Sequence, residues 1–241
     1  MTDPLFLLDD LGRPALGTRV TLGGPEGRHA SVVRRIEIGE MIIIADGLGS
    51  GVRGRVVTVD KSALVVEVTE QLRTPVRARR FVAVQALAKG DRSELAIEML
   101  TELGIDEIVR WSASRSIVRW TGDRAQKSLS RWRSTVREAA KQSRRLTVPT
   151  VTDARTTKQL TTMVADAALV LVLHEDATES IADIELPAAG AVMIIIGPEG
   201  GITADELDAL VAAGAHAVSI SDGVLRTSTA GVVALAGLLL R

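Results

Sequence analysis

The chain has no cysteine, only three histidines, and no apolar run long enough to cross a membrane. Without cysteine there is neither a disulfide framework nor a thiolate metal site, and His29, His174 and His216 lie far apart in sequence, which argues against a zinc enzyme. The N-terminus, MTDPLFLLDDLGRP, lacks the basic start and long apolar core of a secretory signal. The most apolar late stretch, AGVVALAGLLL, has 11 residues, against the ~20 that a spanning helix needs. These absences point to a cytoplasmic protein with no metal and no membrane partner.

What is present suits a globular chain. At 241 residues and 46% hydrophobic content there is enough apolar surface for one large or two modest domains. The formal net charge of −1 hides an asymmetry: residues 1–70 carry −2, residues 71–150 carry +9 (17 basic against 8 acidic), and residues 151–241 carry −8. A basic block inside a near-neutral protein is what a polyanion-binding face looks like.

From residue 18 to 72, short β-rich runs alternate with turn residues: RVTLGG, HASVVRRIEI, EMIIIADG, GRVVTVD and ALVVEVTEQL. That spacing predicts a small antiparallel sheet or barrel. A literal GxGxxG, Gly49 to Gly54, follows MIIIA, but β-patterned RVVTVD comes next where a dinucleotide site needs a helix, so the motif reads as a flexible hairpin loop. After RTPVRARR, strands alternate with helices, which implies an α/β domain with a largely parallel sheet. The domain boundary is placed near residues 73–77, dividing the chain into 1–73 and 74–241.

A long helix is expected near Arg124 to Arg145. Residues four apart share a face, so Arg133, Arg137, Lys141 and Arg145 form a cationic row opposite an apolar stripe of Leu129, Trp132, Val136 and Ala140. Acidic residues at i±4 are scarce on that face, and the row is expected to point outward at phosphates. Arg79, Arg80, Arg115 and Arg119 lie nearby in sequence. Trp111 and Trp120 could offer stacking platforms, with core packing the expected role.

The stretch MIIIGPEGGITADEL runs from a buried strand through a glycine turn into a helix. Thr203 and Glu206 have capping-box spacing, which fixes the loop Gly197-Pro198-Glu199-Gly200-Gly201 at the carboxyl edge of the sheet. Glu199 opposes a phosphate there, so the loop suits a neutral or cationic ligand, or one held through an adenine edge or ribose. Two other polar loops point to the same edge: LVLHED, ending in His174, Glu175 and Asp176, and SISDGVLRTSTAG, where Arg226 stands before an apolar helix and needs an anion or a substrate carbonyl. The run Gly231 to Leu240 reads as a buried helix, in the core or at a subunit interface.

The pairing of IIIGPEGG with VLRTSTA about 27 residues later resembles the bacterial 16S ribosomal RNA (uridine-N3) methyltransferases, of the SPOUT class. The likeness extends through HASVVRRIEIGEMIIIADG, SELAIEMLTELGIDEIVRWSASRS and RWRSTVREAAKQSRRLTVPTV. The resemblance implies a PUA-like β-barrel for RNA contact, followed by an α/β domain with a deep trefoil knot that binds S-adenosylmethionine, in a homodimer. It implies 16S ribosomal RNA, naked or in the assembled small subunit, as substrate. Cofactor contact carries over to Leu173 and His174, to Gly197, Glu199, Gly200, Gly201 and Ile202, and to Ile220, Val224, Leu225, Arg226, Thr227 and Thr229. Arg226 would stabilise charge on a uracil oxygen, and Glu199 or His174 would accept the proton. RNA contact falls to Arg34 and Arg35 in the barrel and to Arg79, Arg80, Arg115, Arg133, Arg137, Lys141 and Arg145. The chain departs from the family at Ser221-Asp222-Gly223, where relatives have a basic residue before LRT, at Ser228, often Glu, and at Arg34, often leucine. A ribose or transfer-RNA methyltransferase of the same class, or a non-catalytic RNA-binding assembly factor, remain the alternatives.

Overall fold

The computed structural model describes residues 3–88, 91–116 and 122–241. The chain has a mixed α/β fold and separates into two compact units, one of residues 1–76 with 137–148, the other of residues 77–136 with 149–241. Residues 137–148, which the sequence reading assigned to the second domain, thus cluster with the first.

The first unit contains β1 (Leu5–Leu7), β2 (Arg19–Leu22), α1 (Gly24–Arg28), β3 (Met41–Ala45), β4 (Ser50–Val59) and β5 (Leu64–Arg73). The strands form one sheet in the order β1-β3-β4-β5-β2, antiparallel except for the parallel pair β1 and β3. Alternate residues of β2 and β5 turn inward, and Phe6, Leu22, Ile42, Ile44, Val56, Leu64 and Val66 make the core. The run HASVVRRIEI, expected to be extended, is instead a π-helical turn over His29–Val33 that continues α1. Pro25 and Glu26 in the first turn of α1 favour a helix start, and the β-branched pair Val32-Val33 is carried along with it.

The GxGxxG segment is mostly strand rather than a flexible hairpin loop. Only Gly47 to Gly49 make the turn, where Asp46 Oδ1 accepts from the Leu48 and Ser50 amides at 2.7 and 2.9 Å, while Gly51 and Gly54 are paired inside β4. Gly54 lies at a register shift between β4 and β5, where an added Cβ would come within 2.4 Å of the Glu67 carbonyl oxygen and 2.5 Å of Val66 Cγ1. Its glycine serves strand packing, not a phosphate.

The second unit holds β6 (Arg79–Ala86), α2 (Arg92–Leu103), β7 (Glu107–Trp111), β8 (Thr150–Val151), α4 (Thr157–Asp166), β9 (Leu169–Leu173), β10 (Gly190–Ile196), α5 (Ala204–Ala212), β11 (His216–Val218) and α6 (Thr227–Leu239). Between β7 and β8 runs α3 (Asp123–Gln142), whose last turn belongs to the first unit. The strands pair in parallel in the order β11-β9-β10-β6-β7-β8. Apolar runs such as VMIII in β10 are buried throughout, as parallel strands covered on both faces require. The helix α4 was not anticipated, although Thr156 and Gln159 form a complete capping box at its start. The stripe Leu129, Trp132, Val136 and Ala140 of α3 is buried as its spacing predicts. The helix stops at Gln142, because Arg144 takes a left-handed φ of 55° and the Arg145 amide bonds back to the Ala140 carbonyl at 2.9 Å. Arg145 therefore lies off the row that helical spacing assigned to it.

Gly54→Ala is expected to lower stability by about 1–3 kcal/mol through overpacking between β4 and β5. The measurement is the urea unfolding midpoint of the full chain, and an unchanged midpoint would mean that the strands part there without strain.

Candidate functional site

Parallel pairing fixes which residues end together. Val218 is in register with Leu173, and Ile196 with Gln85, so the chain leaves β9, β10 and β11 at one edge of the sheet. Thr227, the first residue of α6, donates its hydroxyl to the Gly197 carbonyl at 2.8 Å and accepts from Gln85 Nε2 at 3.0 Å. Two loops 30 residues apart are thereby one structural unit, anchored on a fully buried glutamine.

Between these loops lies a cavity of about 300 Å³. Leu173, Ile196, Ile202, Leu225 and Ala230 supply apolar wall, and Arg92, Glu175, Glu199 and Arg226 supply charge. A second cavity of about 60 Å³ shares Leu173, Val224 and Leu225 and adds His174 and Ile220. Gly197 is needed for close approach, since a Cβ there would meet Ile202 Cγ1 at 2.8 Å. Glu199 has a cation nearby: Arg92 Nη1, from the first residue of α2, is 3.9 Å from Glu199 Oε1. Among the described residues no hydrogen bond or ion pair engages the exposed guanidinium of Arg226.

The capping box at Thr203 and Glu206 is present, and Glu206 does more than cap. Its Oε2 accepts from the Thr203 amide and hydroxyl at 3.3 and 3.0 Å, while its Oε1 accepts from the Ser114 amide at 2.9 Å and the Thr157 hydroxyl at 2.8 Å. One buried carboxylate thus ties the turn after β7 and the start of α4 to the glycine loop. Burial alone would push this carboxyl up, but the hydrogen bonds from Ser114, Thr157 and Thr203 prevail and hold it below the ordinary carboxylate range. Arg115, on the same turn, donates from Nη1 to the Gly200 carbonyl at 3.2 Å.

Most of the sequence-predicted cofactor residues meet here. Leu173, Gly197, Glu199, Gly201, Ile202, Val224, Leu225, Arg226 and Thr227 line the larger cavity, and His174 and Ile220 the smaller. Gly200 and Thr229 line neither cavity: Gly200 is exposed beside Arg115, and Thr229 donates its hydroxyl to the Arg226 carbonyl. His174 Nδ1 accepts from the Asp176 amide at 3.2 Å, so that nitrogen shapes its own turn. The sequence reading does not include Arg92, which opens α2, or Gln85, one residue before the end of β6.

The cationic row does not stand free as expected. Lys141 is buried, with Nζ 2.8 Å from Glu26 and 2.7 Å from Glu138. Burial opposes its charge, yet the two carboxylates outweigh burial and raise its pKa. Arg137 is paired with Asp9 at 2.9 Å, and Arg133 reaches the Val151 carbonyl at 3.5 Å. Local i±4 spacing could not reveal acids over a hundred residues away. Arg79 and Arg80 open β6, roughly 20 Å of strand from its carboxyl end, and Arg80 is paired with Glu107. Trp111 is fully buried and donates to Thr157, which excludes it as a stacking platform. Arg119 and Trp120 lie outside the described residues. Arg34 and Arg35 are exposed in the first unit.

Comparison with known proteins gives a consistent family. The family model described as RNA methyltransferase domain matches residues 76–239. Ribosomal RNA small subunit methyltransferase E of Mycobacterium bovis is 46% identical over 239 residues, covering 98% of this chain and 90% of its own length. Among solved structures, Ribosomal RNA small subunit methyltransferase E from Neisseria gonorrhoeae bound to S-adenosylmethionine superposes with a TM-score of 0.87 at 28% identity, covering 99% of this chain and 98% of its own. A putative methyltransferase from Legionella pneumophila, also with bound S-adenosylmethionine, gives 0.88 at 26% identity over 100% and 98% of the two chains.

Because the folded Glu206 carboxyl lies below its unfolded value, its contribution to stability is present above the ordinary carboxylate range and is lost as pH falls through the folded value. Glu206→Gln leaves one of the buried donors facing an amide NH₂ and is expected to cost about 1–3 kcal/mol at neutral pH. Urea unfolding at neutral pH and again below the carboxylate range tests this. A cost equal at both pH values would remove the charge of Glu206 from the account.

Proposed function

The chain belongs to the family of the RNA methyltransferase domain, and from that premise we propose that it transfers a methyl group from S-adenosylmethionine to N3 of a uridine in 16S ribosomal RNA. The reading is carried by the Thr227–Gly197 bond, which joins the two signature loops around one cavity. The residues present fit the cofactor: apolar Ile196, Ile202, Leu225 and Ala230 suit the adenine ring, and Glu199 suits a cation where it would repel a phosphate. When bound, the cofactor supplies an electrophilic methyl group on a sulfonium sulfur.

The protein's part is to favour the uracil anion and to aim N3. Arg226 faces the cavity and stabilises negative charge growing on a uracil carbonyl oxygen as the N3–H bond breaks. Glu199 takes the imide proton, directly or through a water. His174, with one nitrogen committed to the Asp176 amide, holds the turn after β9. The target base leaves its stack to enter.

In this reading the sheet of the first unit is a PUA-like barrel that grips RNA, and the C-terminal segment passes through a loop as a trefoil knot. The protein works in the cytoplasm as a homodimer, for which half-exposed Leu95 and Val233 offer apolar surface on α2 and α6.

Arg226→Ala is expected to lower kcat at least about 100-fold, while RNA affinity is retained. Methyl transfer to 16S ribosomal RNA, with nucleoside mass spectrometry identifying 3-methyluridine in the product, measures it. Unchanged turnover would remove Arg226 from the mechanism, and a ribose-methylated product would replace the substrate position proposed.

A further inference from the structure

The first unit holds a cleft of its own, about 80 Å³, between the end of the π-helical turn and the last turn of α3. Its walls include Phe6, His29, Arg34, Lys141 and Arg144, with Glu138, which is paired to Lys141. Lys141 is committed to Glu26 and Glu138. Arg34, Arg35 and Arg144 have no carboxylate within ion-pair distance among the described residues.

The backbone is unusual at the same place. Arg35 and Arg144, at φ 53° and 55°, are the non-glycine residues with positive φ among those described. Each sits just past a helix end, where the following amide bonds back across the last turn: Ile36 to the Ala30 carbonyl at 3.0 Å, closing seven residues, and Arg145 to the Ala140 carbonyl at 2.9 Å, closing six. Glycine is the usual residue at such a position, because a Cβ there is strained. Attraction of a cation to the helix dipole does not account for the choice, since Arg34 and Arg145 already stand beside these positions with relaxed backbones. What glycine would lack is the guanidinium.

We propose that this cleft and its margin form a phosphate clamp, in which Arg34 and Arg144 of the wall and Arg35, the exposed neighbour of Arg34, hold the phosphodiester backbone of the RNA substrate while Lys141 serves as a buried tie between Glu26 and Glu138. The planar guanidinium matches two phosphate oxygens at once, which a point charge does not. The inference rests on the reading of the protein as an RNA-modifying enzyme, and it moves the RNA contact from Lys141 to Arg144.

Glycine separates the side chain from the backbone, so the test uses Arg35→Gly with Arg144→Gly in the full chain. Thermal unfolding should be unchanged or shifted upward, because glycine adopts this backbone without strain. Binding of transcribed 16S ribosomal RNA should weaken about tenfold or more at moderate salt, and the slope of log K against log salt should fall by roughly 0.7–0.9 for each phosphate that the variant no longer neutralises. Calorimetry should show S-adenosylmethionine binding unchanged. Unchanged RNA affinity and slope, or a fall in unfolding temperature with RNA binding intact, would assign the arginines to packing and overturn the clamp alone. If the unsubstituted protein shows no salt-dependent binding to 16S ribosomal RNA, the functional reading fails and the clamp with it.

Discussion

The hydrogen bond from the Thr227 hydroxyl to the Gly197 carbonyl is the constraint on which the cavity depends. It exists because α6 can come close to the sheet. A Cβ on Gly231 would lie 3.1 Å from two side-chain carbons of Ile196, so glycine there sets how near the helix approaches β10. The bond is then held by Gln85, which is fully buried and in register with Ile196, and whose Nε2 bonds the Thr227 hydroxyl. An apolar residue in place of Gln85 would leave Thr227 able to turn away. The geometry of the site follows from strand register first and from loop chemistry second.

The basic middle third of the sequence is not one face. Its cations divide between two compact units, and several meet carboxylates outside the segment: Arg137 meets Asp9, Lys141 meets Glu26, Arg92 meets Glu199 and Arg110 meets Asp153. Part of the +9 excess is therefore neutralised locally. Cations at the helix ends of the first unit, and Arg226 at the sheet edge, keep their charge available.

Strands, helices and the edge at which the site forms were legible because they depend on local rules. The buried run VMIII, the capping spacing Thr203 to Glu206 and the apolar stripe of α3 each encode their structure within a few residues. Apart from α4, whose capping box is local, what was not legible depends mostly on partners that no short window contains. Glu206 reads as a cap, and its bonds to Ser114 and Thr157 appear only when three elements meet. The row Arg133, Arg137, Lys141 and Arg145 is correct as helical spacing up to Gln142, but its outward, unpaired character was inferred from the absence of nearby acids. The run HASVVRRIEI has β-branched residues that favour a strand, yet Pro25 upstream starts a helix that continues through them. Most of the residues that the resemblance assigns to the cofactor line two adjoining cavities, because strand register brings both loops to one sheet edge. The resemblance said nothing of Arg92, which arrives from a different element.

The two helices that start at the site are not equivalent, and the difference locates its positive end. The N-terminus of α5, which follows the glycine loop, is closed by the Thr203–Glu206 box, so the Thr203 and Glu206 amides are satisfied and its dipole is met by a carboxylate. The N-terminus of α6 has no side-chain cap among the described residues, and its N-cap residue is Arg226. A cation at the positive end of a helix is disfavoured by the dipole, by about 0.3–1 kcal/mol at an exposed position. That arrangement concentrates positive potential where α6 meets the cavity, opposite the carboxylate of Glu199 in the other loop. The glycine loop, which resembles an anion cradle in sequence, thus brings a carboxylate to the cavity, and the positive potential lies at the start of α6.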